Sequence, residues 1–166
     1  MAIISGKRIV TIIAFTFTLF TFQFVAVPNA YMQGPNSQLA ASDRIHKKIT
    51  RDQIRAIMVR EGYSVTTDED GDIVWKIEGY STLMLVASDS ESLMFSSSFT
   101  DSKATLEKTN EWNRKAKYSR SYIDNDGDPV LELDLDLAGG VTDARIVDFL
   151  KTCRGAFVDW VSEVVR

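Results

Sequence analysis

Residues 110–140, NEWNRKAKYSRSYIDNDGDPVLELDLDLAGG, decide the fold: the end of a helix, a hairpin around an Asp-Gly turn, a strictly alternating strand and a Gly-Gly hinge. Successive side chains on a strand point to opposite faces. Leu131, Leu133, Leu135 and Leu137 therefore share one face, and Glu132, Asp134 and Asp136 share the other. A strand of this kind belongs to an antiparallel sheet with one face packed and one face wet.

An earlier segment repeats the layout. Tyr63 to Ile77 surrounds Asp68-Glu69-Asp70-Gly71-Asp72 as Tyr118 to Leu133 surrounds Asp124-Asn125-Asp126-Gly127-Asp128. A two-residue Asp-Gly loop places Val65 opposite Lys76 and Arg120 opposite Leu133, which mixes apolar and charged groups on one face. A three-residue loop with Gly71 or Gly127 in a left-handed bulge position removes the conflict. It sets Tyr63, Val65 and Thr67 against Ile77, Trp75 and Ile73, and Arg120 against Glu132. Between the hairpins, Tyr80 to Ala87 and Leu93 to Phe99 read as two further strands divided by a turn at residues 88–91.

Three helices complete the pattern. Thr50 and Gln53 form a capping box with Ile49 and Ile54 at the staple positions, so a helix starts at Arg51, and Gly62 closes it. A polar helix spans about Lys103 to Ala116. After Gly139-Gly140, Thr142 caps a last helix whose Ile146, Phe149, Leu150, Cys153, Phe157, Trp160, Val161 and Val164 keep the 3.6-residue period. The predicted class is α+β, an antiparallel sheet with helices packed on it, in the order α-β-β-β-β-α-β-β-α.

The 166 residues, 45% hydrophobic and 25% charged, suffice for one domain with its own core. Lys7 and Arg8 precede a stretch from Ile9 to Val27 that is almost wholly apolar, and no charge returns until Asp43. Residues 1–30 are expected to be a secretory signal peptide. The alternative is an uncleaved anchor, since residues 9–27 would span ~28 Å as a helix against a ~30 Å hydrocarbon layer. Either places the domain in the periplasm or outside the cell, or holds it on the inner membrane, with no other membrane contact. Residues 31–48 read as a flexible tether and residues 49–166 as the domain.

Without Lys7 and Arg8 the chain carries 17 basic and 23 acidic residues, a net charge near −6, which excludes nucleic acid as a partner. The basic cluster Arg114, Lys115, Lys117 and Arg120 adjoins the acidic strand and reads as a solvated or cross-paired face. Cys153 is the single cysteine, so no internal disulfide forms; it sits on the apolar face of the last helix as an inert thiol.

No reaction is legible. His46, the sole histidine, lies in the tether without a Ser, Cys or acid at any motif spacing. Asp134 and Asp136 lie ~7 Å apart, but so does any such pair on a strand. The two acidic turns invite a calcium or small-ligand sensor as an alternative function, yet their glycines come two positions early for an EF-hand loop. No metal site and no cofactor is expected. Asn110, Trp112 and Asn113 stand out on the polar helix. Trp112 either seats the helix on the sheet while the amides serve backbone groups, or it anchors a binding surface for a protein partner or a second copy in a homodimer.

The run from Leu106 to Val141 resembles the YbjN family of bacterial proteins, most specifically in NEWNR, DGDPVLE and the Gly-Gly-Val entry to the last helix. The resemblance covers roughly Ile49 to Trp160. It implies a sensory transduction regulator with the fold of type III secretion chaperones, and brings no enzymatic activity or cofactor. The combined expectation is an exported, non-enzymatic interaction module, chaperone-like or sensory.

Overall fold

The computed structural model describes residues 44–166, so the expected signal peptide and most of the tether lie outside the described residues. Six strands form one antiparallel sheet: β2 (Val65–Thr67), β3 (Ile73–Ile77), β4 (Tyr80–Val86), β5 (Ser92–Ser98), β6 (Arg120–Ile123) and β7 (Pro129–Asp136). Their spatial order is β2-β3-β4-β5-β7-β6, so β7 lies inside the sheet between β5 and β6. Three helices, α1 (Arg51–Arg60), α2 (Leu106–Lys115) and α3 (Asp143–Trp160), accompany it, and α3 runs into a π-helical turn at Val161–Val165. The expected α+β class and element order are both present.

The three-residue loops are as the face argument requires. Val65 pairs with Trp75 and Thr67 with Ile73, while Arg120 pairs with Glu132. Beyond each ladder, Asp68 N–H donates to the Asp72 carbonyl at 3.1 Å and Asp124 N–H to that of Asp128 at 2.9 Å. Gly71 and Gly127, with φ of +81° and +89°, close the turns. Each turn is also braced from inside, because the Asp68 and Asp124 carboxylates accept the N–H groups two and four residues ahead.

Helix α1 begins with the expected reciprocal capping box between Thr50 and Gln53. Helix α2 is shorter than the expected span of residues 103–116, because Thr105 caps it and the Lys103 N–H is spent on the Val165 carbonyl at 2.9 Å. The core lies between the sheet and the helices. Trp75, Phe95, Phe157 and Trp160 are all essentially inaccessible, with Phe95 set edge-on to both Trp75 and Phe157 at about 6 Å.

Two short strands lie outside the expected order. Residues 45–48 read as tether from the sequence, but β1 (Ile45–His46) pairs antiparallel with β8 (Val141–Thr142) in a separate two-stranded sheet. The close approach depends on Gly140: a Cβ there would lie 2.5 Å from Ile45 Cγ2. The fold thus includes Ile45 and His46, which precede Ile49.

At Gly127 a Cβ would meet nothing within 4 Å, so an alanine there tests backbone conformation alone. Gly127→Ala is expected to lower stability by about 1–2 kcal/mol, the cost of a left-handed L-residue. Urea unfolding checks this, and an unchanged midpoint would refute the left-handed loop.

Candidate interaction surface

The alternation of the strands sorts the sheet into two faces. Ile73, Trp75, Ile77, Met84, Leu93, Phe95, Leu131, Leu133 and Leu135 point into the core. The intervening residues point the other way, where no helix of the described residues packs. Across that face Val74 pairs with Leu83 and Leu85 with Met94, giving a part-exposed apolar band over β3, β4 and β5. Next to it, Met94 stands beside Asp134, Ser96 beside Glu132 and Ser92 beside Asp136. The face therefore has an aliphatic centre and an acidic border along β7.

That border is not uniformly wet, as the strand pattern implied. Glu132 is buried, accepting from Arg120 Nε at 2.6 Å and from the Tyr122 hydroxyl at 3.1 Å. Burial, and then the Glu132 carboxylate it serves, hold the Tyr122 hydroxyl above the usual phenol range. Asp134 and Asp136 are exposed and form no ion pair among the described residues. The basic cluster is largely cross-paired: Arg114 with Glu111, Lys115 with Glu163, and Arg120 with Glu132.

Asn110, Trp112 and Asn113 do not form one surface. Trp112 is 4% exposed and its Nε1–H donates to Ser119 Oγ at 3.1 Å. Asn113 clamps the edge strand β6, donating to the Ser121 carbonyl at 2.7 Å and accepting from its N–H at 2.8 Å. Ser121 Oγ in turn accepts from the buried Trp160 Nε1–H at 2.8 Å. One serine thus ties α2, the sheet and α3 together. The Asn113 amide occupies backbone groups that would otherwise recruit another strand. Of the three residues, only Asn110 is both exposed and outside this network.

Sequence reasoning missed the most polar buried cluster. His46 Nε2 lies 2.6 Å from Asp143 Oδ1, and Arg60 Nη1 donates to Oδ2 of the same carboxylate at 3.1 Å. His46 and Asp143 are each about 5% exposed. Asp143 is the first residue of α3, where the helix dipole favours a carboxylate. The pair is 97 positions apart, which no local spacing rule detects. Its role is to fasten β1 to α3: the described residues around it bring no serine, cysteine or second carboxylate to the imidazole.

The acidic turns use their carboxylates locally. Asp68 and Asp124 accept backbone N–H groups, and Asp72 pairs with Arg51 at 2.8 Å. Partial burial, and then the charges of Asp124, Asp126 and Asp101, raise the Asp128 carboxyl above its ordinary range. Among the described residues no group of three or more His, Cys, Asp or Glu is disposed to hold a metal ion.

The sequence profile of the YbjN family, described as "Putative bacterial sensory transduction regulator", matches residues 50–165, and the chain belongs to that family. The crystal structure of YbjN from E. coli, a "putative transcription regulator", aligns with a TM-score of 0.55 at 12% identity, over 71% of this chain and 96% of that one. This is a shared fold. The Yersinia pestis type III secretion chaperone SycH, solved with a stable fragment of YscM2, aligns with a TM-score of 0.48 at 13% identity, over 69% of this chain and 98% of that one. No curated protein matches the chain.

Asn113→Ala removes both bonds to Ser121 and leaves its N–H and carbonyl unpaired at the sheet edge, so stability is expected to fall by about 1–3 kcal/mol in thermal unfolding. Burial pushes the Cys153 thiol far above its usual range. The unfolded chain releases that proton near pH ~8.5 and the folded chain keeps it, so folding stability is expected to fall as pH rises past that point. Native Cys153 is accordingly expected to resist alkylation at mildly alkaline pH until the chain unfolds; rapid labelling of the folded protein would contradict its burial.

Proposed function

We propose that this chain is an exported, non-enzymatic regulatory module that binds a protein partner on the open face of its sheet. The observation that carries the reading is the face that no described helix covers, with Val74, Leu83, Leu85 and Met94 at its centre and exposed carboxylates at its border. An apolar centre with a polar rim is the anatomy of a protein interface. The family's description as a regulator agrees with a role exercised through binding. Export rests on the basic start and apolar run of residues 1–30.

The two side chains best suited to covalent or acid–base chemistry support a role without turnover. Cys153 is buried with its thiol held protonated, and both His46 and its carboxylate partner are committed to holding β1. The polar helix is the weaker docking element, because Trp112 is spent on packing and Asn113 on the β6 edge.

Affinity capture of the tagged full-length protein from cross-linked bacterial envelope tests the reading. A partner is expected with the native chain and is expected to be lost in the double variant Leu85→Ser, Met94→Ser, whose side chains face away from the core. Intact mass of the recovered bait reports whether residues 1–30 have been removed. Undiminished capture by the double variant would sink the open face as the docking site, and bait found only inside the cytoplasm at full mass would sink export.

A further inference from the structure

The chain before β6 creates an opening in the sheet. Arg120 pairs with Glu132, so two residues earlier Tyr118 would stand opposite Asp134 if the ladder continued. It does not, because Tyr118 has φ +64°, a left-handed conformation that turns the chain away from β7. Strand β7 nevertheless continues to Asp136, paired on its other side with Ser92 to Met94 of β5. Among the described residues, it has a strand on one side only from Leu133 onward.

The open side carries hydrogen-bonding groups. Ser121 turns its N–H and carbonyl away from β7 onto Asn113. By antiparallel alternation, the ladder groups of β7 that point towards β6 belong to Val130, Glu132, Asp134 and Asp136. Those of Asp134 and Asp136 lie beyond the last β6 pair.

Two clefts flank this edge. One, of about 330 Å³, is lined by Tyr118, Asp134, Arg145, Asp148, Phe149 and Thr152. The other, of about 270 Å³ and on the open face, shares Tyr118 and Asp134 and adds Ser119, Arg120 and Glu132. The charges do not balance. Asp148 is paired with Arg145 and Glu132 with Arg120, which leaves Asp134 as the carboxylate of both clefts that has no ion pair among the described residues. Beside it stands the Tyr118 ring, 80% exposed.

We propose that the Tyr118–Asp134 cleft takes an arginine or lysine side chain of an extended protein segment lying along the free edge of β7. The assignment rests on the protein-binding reading above and names the chemistry of the partner. The carboxylate supplies the counter-charge, the aromatic ring the second attraction for a cation, and the nearby Phe149 and Thr152 a surface for the aliphatic stem. The Asp134 and Asp136 backbone groups can pair with the segment's main chain. Charge decides between occupants: an acidic segment, or an apolar one without a cation, leaves Asp134 unpaired.

The full-length protein is titrated with a short blocked peptide of alternating lysine and valine, with its glutamate–valine counterpart, and with free arginine. The basic peptide is expected to bind saturably and more weakly as salt is raised, and the acidic peptide and free arginine to bind far less. Asp134→Asn and Tyr118→Gly are each expected to weaken the basic peptide by about five-fold. Glycine adopts the left-handed backbone freely, so Tyr118→Gly is expected to keep the native melting temperature within about 5 °C. Equal binding of the two peptides, competition by free arginine at matched concentration, or affinities unmoved by both substitutions would each overturn the assignment. Peptide binding that ignores both substitutions but disappears in Leu85→Ser, Met94→Ser overturns this cleft and leaves the open-face reading standing.

Discussion

The period-two alternation of β7 is the constraint from which the rest of the architecture follows. Pro129–Glu132 of β7 are paired with β6 and Val130–Asp136 with β5, so the register is held along the whole strand by β5 and a second time at its start, and its leucines cannot leave the core without dragging β5 with them. The same alternation that sends Leu131, Leu133 and Leu135 beneath α3 sends Glu132, Asp134 and Asp136 to the opposite face. Covering one face and charging the other are a single event.

The polar network at the β6 end extends that constraint to the helices. Ser121 is where it converges, its backbone held by Asn113 of α2 and its hydroxyl by Trp160 of α3. Buried indole N–H groups need acceptors, and Ser119 and Ser121 provide them for two tryptophans. The NEWNR segment therefore acts mainly inward. Its tryptophan and second asparagine bind to the protein's own edge strand, and the surface available to others lies on the sheet and at the end of β7.

Much of this was legible in the sequence because it is encoded locally. The capping box at Thr50, the three-residue loops at Gly71 and Gly127 and the Arg120–Glu132 register all follow from residues within a dozen positions of one another. What escaped was non-local. No spacing rule places β7 between β5 and β6, seats His46 on Asp143, or shows that Tyr118 stops a ladder that its neighbours could continue. The candidate residues of α2 illustrate the same limit: an unusual Trp between amides flags importance, but only the packing tells whether the ring faces a partner or the core.

The β1–β8 pairing has a mechanical consequence. The first described strand, β1, is held by the His46–Asp143–Arg60 cluster, which rivets it to the first turn of α3 and the last turn of α1. A pull on the N-terminal side is thus delivered first to the helical layer. The six-stranded sheet shares no hydrogen-bonded ladder with β1 or β8, so it stands outside the primary line of force. Load entering through β1 thus meets the His46–Asp143–Arg60 junction before it meets the strands of the six-stranded sheet.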